Sequence, residues 1–363
     1  MRVLHLTDRL SDRGGAHRHL LGVLEALRED GHEVIVAAGA VERGLGSVGA
    51  VRIAAGLESR TRAPVALDEL TRELALDLVH VHTVVNPAVL EWAAERPALV
   101  TVQDHRYFCP SRGKWTRAGR PCVEPMAPAT CAACFEDEGY FQETYALTAA
   151  RLAALRRLRV VALSAYMKRE LLAAGLAPGQ VAVVPPFVHG LDTRAEADGP
   201  PCVLFVGRLT VAKGVREAVD AWRLSGVDLP LVLAGTGPLR TELEEAGIPV
   251  RGWLGRASLS ACYRRARALL LTSRWQEPFG IAGLEALSMG VPVVAWESGG
   301  VSEWHPGPLA PWGDVAAVAR ALREAVHARA AAPAGFERAL LMRRLVEVYE
   351  EVAAPTRTAV AVP

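Results

Sequence analysis

The chain has 363 residues, a formal net charge of +1, about half apolar residues and about a fifth charged. That length exceeds one ordinary core and predicts two domains, while the balanced charge excludes the broad basic field of a nucleic-acid binder. The longest apolar runs, 268–272 and 291–296, are strand-length and too short to span a bilayer. The start, Met1 to Thr7, is followed by a charge at Asp8, so it reads as a buried strand rather than an export signal. A cytoplasmic chain is therefore expected, its six cysteines serving as thiols or metal ligands.

In chain order, short β-branched runs at 3–6, 34–37, 78–81, 99–102, 160–163 and 181–184 alternate with helical patterns at 16–29, 87–94 and 166–174. The pattern repeats beyond residue 200, with strands at 202–206, 231–234, 268–271 and 292–295 and helices at 214–224, 239–246 and 280–289. Such alternation predicts an α/β protein of two Rossmann-like, doubly wound parallel-sheet domains facing across a cleft. The boundary is the proline- and glycine-rich stretch 185–201, giving domains 1–190 and 200–334. Residues 335–363 are expected to form a helix packing back on the first domain, then a frayed tail.

Two segments carry the chemistry. Gly207, Arg208, Lys213 and Gly214 follow one strand, and Glu277, Phe279, Gly280, Ile281 and Glu285 follow another. These are carboxyl ends of strands, where open α/β sheets bind ligands. Arg208 and Lys213 suit the charge of a diphosphate. Glu277 and Glu285 suit sugar hydroxyls, because an ionised carboxylate only accepts hydrogen bonds. The pairing predicts a nucleotide-sugar site, with backbone N–H groups of Phe279, Gly280 and Ile281 aimed at phosphate from a helix N-terminus. Glu285 lies in an apolar helix and needs a strong partner, a ribose diol or else an arginine. Gly14 and Gly15 open the first helix and permit close approach to an anion, although a plain strand-to-helix turn would need the same residues. No Asp-x-Asp occurs in the sequence, so the reaction is expected to proceed without a catalytic metal.

The run Gly207–Gly214, with Gly235-Thr236-Gly237-Pro238, the Glu277–Glu285 block, Gly290-Val291-Pro292 and Gly299-Gly300-Val301-Ser302-Glu303, resembles retaining glycosyltransferases of family 4, which have the GT-B fold. The likeness extends through Gly14-Gly15, the 77–82 strand end, Ser164–Lys168 and Pro185-Pro186, and so covers nearly the whole chain. It implies that a nucleoside-diphosphate sugar binds the second domain and a hydroxyl acceptor (saccharide, lipid-linked or small molecule) the first. Arg208 and Lys213 would hold the diphosphate and Glu285 the ribose, with Gly207 and Gly237 in the donor loops. Glu277 would face the sugar, and Gly14-Gly15 would close from the acceptor side. The family's chemistry is a front-face substitution in which the departing phosphate takes the acceptor's proton. One departure stands out: the family's histidine before aspartate is here Gln103 before Asp104, with His105 after. On an extended backbone His105 would share a face with Gln103 and substitute for that histidine. Two rival readings are a sugar-nucleotide epimerase on the same architecture and an inert nucleotide-sugar or metal-binding scaffold.

Cys109, Cys122, Cys131 and Cys134 form C-x12-C-x8-C-x2-C in an aperiodic loop spanning 105–135. Four thiolates with a Cys-x-x-Cys suit a tetrahedral structural zinc. An iron–sulfur cluster would use the same ligands, and free thiols or a disulfide are the plain alternatives. His80 and His82, at a strand end, are expected to line the sugar cleft. Arg151, Arg156, Arg157 and Arg159, interleaved with Leu152, Leu155 and Leu158, form a basic amphipathic stretch. It is either a solvated helix face or a peripheral contact with the inner face of a membrane.

Overall fold

Runs of valine, leucine and isoleucine bounded by glycine or proline form two parallel sheets in the computed structural model, which describes residues 1–45, 50–111 and 113–354. The first contains β1 (Arg2–Leu10), β2 (Glu33–Val41), β3 (Ala50–Ile53), β4 (Leu78–Val81), β5 (Ala98–Val102), β6 (Arg159–Ala162) and β7 (Val181–Val183), in the order β3-β2-β1-β4-β5-β6-β7. The second contains β8 (Cys202–Val206), β9 (Leu231–Ala234), β10 (Val250–Gly252), β11 (Ala266–Leu271) and β12 (Val293–Ala295), in the order β10-β9-β8-β11-β12. Both are doubly wound, as expected. Their strand order reverses between β1 and β4 and between β8 and β11, and ligands enter such sheets at those switch points. The Gly14-Gly15 loop leaves β1, the Gly207–Lys213 segment leaves β8, and the Glu277 loop leaves β11.

Central strands read as unbroken apolar runs because helices cover both faces. Leu4, Leu6, Val79, Val81, Val100 and Val102 pack on one face of the first sheet, and Val3, Leu78, Leu99 and Val161 on the other. β1 is longer than the sequence suggests, since Arg9 and Leu10 continue to pair with Ala40 and Val41 of β2. The helix Glu138–Leu155, which apolar periodicity does not mark, is started by Asp137, whose carboxylate accepts the N–H of Tyr140 at 2.6 Å. Residues 185–201 carry no helix or strand. The C-terminal helix Arg338–Ala353 returns to the first sheet, burying Leu341, Met342, Leu345, Val348 and Tyr349. The tail beyond 354 lies outside the described residues.

Two expectations change. Leu152, Leu155 and Leu158 are core residues of the first domain. Arg151 is buried, donating to the carbonyls of Val85 (2.7 Å) and Arg60, and Arg159 pairs with Glu351 at 2.7 Å. Only Arg156 and Arg157 of the basic stretch are exposed. His80 and His82 do not line a cleft either. They sit with His5 beneath the C-terminal helix, all three at most 1 % exposed. His80 on β4 and His82 just beyond its end are two residues apart and so share one sheet face, beside His5 on β1. His80 uses both nitrogens, at 2.7 Å from the Tyr349 and Thr101 hydroxyls, and His5 Nδ1 lies 3.0 Å from His82 Nε2. Ligand atoms of the trio lie within 4.8 Å of one another, as a metal would require. His80 has no nitrogen left for one, so the cluster is a hydrogen-bonded core network.

Burial lowers the pKa of His5 to about 3 and those of His80 and His82 far below the usual value. The unfolded chain protonates these rings near pH 6.5, which the folded chain resists. Stability is therefore full above that pH and declines as pH falls below it, by about 1.4 kcal/mol per pH unit for each ring. Urea unfolding followed from about pH 7.5 down to about pH 5 should show this fall, and His5→Gln should flatten it; a pH-independent free energy would contradict the network.

Candidate active site

The turn after β8 is fixed by close backbone approach. Gly214 adopts φ 66°, and a Cβ there would meet the Thr272 carbonyl oxygen at 1.6 Å. That pins the 211–213 turn onto the strand end of β11, an arrangement closed by the Thr272 hydroxyl donating to the Gly214 carbonyl at 2.7 Å. A Cβ on Gly237 would strike the Leu209 carbonyl at 2.3 Å, and the Leu209 N–H donates to Thr236 at 2.8 Å. Only glycine lets these loops from β8 and β9 lie against each other.

Lys213 and Glu277 meet at the base of the site, Nζ to Oε1 at 2.6 Å. The sequence treats them as separate contacts to phosphate and sugar; the fold makes them a pair. Glu277 is 3 % exposed and also accepts from the Ser273 hydroxyl. Burial alone would raise its pKa, but Lys213 and Ser273 outweigh that and hold it below the usual carboxylate value. Burial lowers the pKa of Lys213 against the opposing pull of Glu277. Arg208 is exposed beside them, its guanidinium 5.7 Å from the Trp275 ring, while Lys213 Nζ is 4.3 Å from that ring. One indole thus faces both cations.

Gly280 caps the helix Ile281–Ser288 with φ 86°, which only glycine adopts readily. Phe279 is buried and its carbonyl accepts from the Trp304 indole at 2.5 Å. Glu285, in the same helix, is paired with Arg256 Nη1 at 2.7 Å and lies 3.2 Å from the Tyr263 hydroxyl. The arginine alternative is therefore the one present, and the carboxylate is satisfied before any ribose arrives. Four lone pairs leave it capacity to accept further hydrogen bonds.

Gly14 starts the helix Gly15–Glu29 with φ 94°. A Cβ on Gly15 would come 2.8 Å from the Ile281 side chain, so the first domain's glycine loop touches the second domain's helix start. Arg18, one turn on, donates to the Leu254 carbonyl at 3.1 Å and stacks 4.6 Å over Trp253. A second crossing lies opposite. Glu303 accepts the N–H groups of Ala165 and Tyr166, both at 2.8 Å, at the N-terminus of the helix Ala165–Ala173, and Ser164 Oγ donates to the Pro278 carbonyl at 2.6 Å.

Gln103 is buried at the end of β5, its amide nitrogen without a hydrogen-bond partner. Asp104, between Gln103 and His105, is extended at φ −157° and ψ −174°. The Asp104 carboxylate accepts the Arg106 N–H at 2.9 Å and starts the 3₁₀ turn His105–Tyr107, in which His105 is buried. Its Nε2 is 3.1 Å from the Tyr166 hydroxyl and its ring stands edge-on to Trp275, centroids 6.0 Å apart. Burial lowers its pKa to about 4, so the ring is neutral near pH 7. Trp275 and Arg256 carry no sequence signature, because each acquires its partner from the other domain or from a distant stretch of chain.

The four cysteines form no disulfide and are each partly buried, in the segment between β5 and the helix Glu138–Leu155. Among the described residues, no three of their sulfurs lie within 4.8 Å of one another.

Residues 13–189 match the family model described as Glycosyltransferase Family 4, and residues 200–328 the model described as Glycosyl transferases group 1. The chain is 32 % identical over 163 residues to the 2-deoxystreptamine glucosyltransferase of Streptomyces kanamyceticus, matching 40 % of this chain and 42 % of that one. It is also 32 % identical over 126 residues to the alpha-D-kanosaminyltransferase of the same organism, matching 32 % and 31 %. The chain thus matches less than half the length of these curated relatives. Two solved structures superpose over nearly the whole chain. Anabaena HepE in complex with UDP gives TM-score 0.65 at 18 % identity, covering 97 % and 98 % of the two chains. Sucrose-phosphate synthase from Thermosynechococcus elongatus gives 0.68 at 17 %, covering the same shares. The fold is GT-B. A glycosyltransferase family model matches each half of the chain.

Glu303→Ala should open the domains. Loss of this cross-domain cap should lower stability by about 1 kcal/mol, and small-angle scattering should show a larger radius of gyration; an unchanged radius would mean that other contacts hold the cleft.

Proposed function

We propose that the protein transfers a sugar, with retention, from a nucleoside-diphosphate sugar to a hydroxyl acceptor, without a catalytic metal. The observation carrying this reading is the exposed Arg208 beside the buried Lys213–Glu277 pair, at the switch point of a GT-B donor domain. Anabaena HepE, of the same fold, is solved with UDP-glucose, which supports a donor of that chemical class here.

In this reading Arg208 and Lys213 receive the diphosphate as the anomeric C–O bond breaks, supplying charge that a divalent ion supplies elsewhere. Backbone N–H groups at Gly280 and Ile281 add to it, although the helix is short. The acceptor oxygen bonds the anomeric carbon on the face the phosphate leaves, and its proton passes to the departing phosphate oxygen. Glu277, kept ionised by Lys213, accepts a hydrogen bond from the sugar. Gln103 offers its unmatched N–H₂ to a sugar hydroxyl, and the neutral His105 supports the site from behind through Trp275. Glu285, already held by Arg256 and Tyr263, positions the ribose. The acceptor is a saccharide, lipid-linked or small-molecule alcohol. Among the described residues no helix is long and apolar enough to cross a membrane. We place the protein in the cytoplasm, with any contact to the inner membrane face resting on Arg156 and Arg157.

Arg208→Ala should cost about 2–4 kcal/mol in kcat/KM with little change in folding, because its guanidinium is exposed. Lys213→Ala should cost as much and also destabilise the fold by about 3–5 kcal/mol, since it strands the Glu277 charge. Steady-state kinetics with and without Mg²⁺ or Mn²⁺ check the metal statement; a requirement that either ion satisfies would overturn it. Glu285→Gln should raise the donor KM and spare kcat, whereas Glu277→Gln should depress kcat more than it raises KM. The same change in both constants for both variants would defeat the division of roles.

A further inference from the structure

The cysteine-bearing segment is not a surface excursion, because it crosses to the donor domain. After the 3₁₀ turn it forms a hairpin closed by an antiparallel bridge between Trp115 and Pro121, with Thr116 N–H donating to Arg120 at 2.7 Å. Cys122 lies at its base, its N–H donating to Lys114 at 2.8 Å. The hairpin's first strand reaches the loop before Glu277. The Gly113 carbonyl accepts the Gln276 N–H at 3.0 Å, and a Cβ on Gly113 would come 2.9 Å from the Trp275 ring. The Arg274 guanidinium stands 5.8 Å from the Trp115 ring. Trp275 in turn faces Lys213, which holds Glu277.

Beyond the buried Lys114 and Trp115 of the hairpin, little of the segment's own packing holds this crossing. Its short helix Pro128–Ala132 buries no residue, and Val123 is 81 % exposed. Lys114 is the one non-glycine residue with positive φ among the described residues, at 58°. Its ammonium, 3.0 Å from Glu170 and 2.6 Å from the Glu124 carbonyl, ties the hairpin to the first domain. Ordering a stretch this long costs about 1–2 kcal/mol per residue, with little apolar burial to offset it. The cysteines stand at the points that need fastening: Cys109 packs at the edge of the first core, Cys122 closes the hairpin, and Cys131 and Cys134 share a turn with the Cys134 N–H donating to Cys131 at 3.0 Å.

We propose that Cys109, Cys122, Cys131 and Cys134 hold a thiophilic divalent cation, zinc by the chemistry of the donor set, and that this ion fixes a strap which seats Trp275 and Gln276 beside the Lys213–Glu277 pair. A tetrahedral thiolate site needs its four sulfurs closer than they lie here, so binding requires these side chains to draw together. Trp275 is then a positioning residue, acting on turnover through Lys213. The turnover arm rests on the glycosyltransferase reading, whereas the metal and protease arms do not.

Elemental analysis of full-length protein, purified aerobically and anaerobically from zinc-replete cells, should find zinc at about one per chain, lost in Cys131→Ser. Limited proteolysis within residues 113–135 should accelerate about tenfold in that variant, with only a small shift in the global unfolding midpoint. Gly113→Ala should keep the zinc yet lower kcat about 10- to 100-fold, and Trp275→Phe, which preserves an aromatic face, should recover most of the kcat lost in Trp275→Ala. Absence of metal from both preparations, or iron with sulfide in the anaerobic one, would overturn the site. Wild-type kcat in both metal-free protein and Gly113→Ala would overturn the strap. Loss of all transferase activity in the wild-type protein with zinc still bound would sink the functional reading while leaving the metal site standing.

Discussion

The structure depends on placing two opposite charges out of water at the mouth of a sheet. Lys213 and Glu277 come from different βα units, and neither would stay ionised in that setting alone. Their 2.6 Å contact requires the β8 turn to lie directly on the end of β11. The missing side chain of Gly214 makes that possible, because a methyl group would overlap the Thr272 carbonyl. The pair is therefore a product of backbone packing before it is a piece of chemistry. Glu277 stays ionised because of the packing, and only an ionised carboxylate can act as a pure acceptor towards a sugar.

The same constraint couples the two domains. The loop between Thr272 and Gln276 leaves the pair and is immediately held from the first domain by the Gly113 carbonyl, while Pro278 and Glu303 on its far side receive Ser164 and the helix start at Ala165. Contacts at Gly15 and Arg18 close the other flank. The donor loop is thus braced on both sides by residues of the opposite domain, so relative domain motion would be felt at Glu277 itself. This gives physical content to domain closure in a two-domain fold: closing the cleft completes the loop that carries the carboxylate.

Buried histidines show how far one motif can mislead. A His-x-His at a strand end suits a cleft or a metal, and His80 and His82 do share a sheet face. That face is roofed by the C-terminal helix, whose Tyr349 takes one nitrogen of His80. Nothing near residue 80 announces a partner 269 positions away. Glu285 makes a similar point. Its place in an apolar helix demanded a partner, and the partner supplied is Arg256, from the helix before β11.

The sequence by itself determined the two doubly wound sheets, because β-branched runs alternating with amphipathic segments admit few other architectures. It also determined the segments that meet in the site, since glycines flanking Arg208, Lys213 and Glu277 mark strand ends where backbone must approach closely. Only the tertiary structure decided how those side chains divide their work. It joined Lys213 to Glu277, gave Glu285 an arginine, placed His105 against Tyr166 and Trp275, and set Trp275 between the cations and the cysteine-bearing hairpin. Periodicity and turn chemistry are local, readable over a few residues. Charge pairing and desolvation are set by what the other domain brings within a few ångströms, and no local pattern records that.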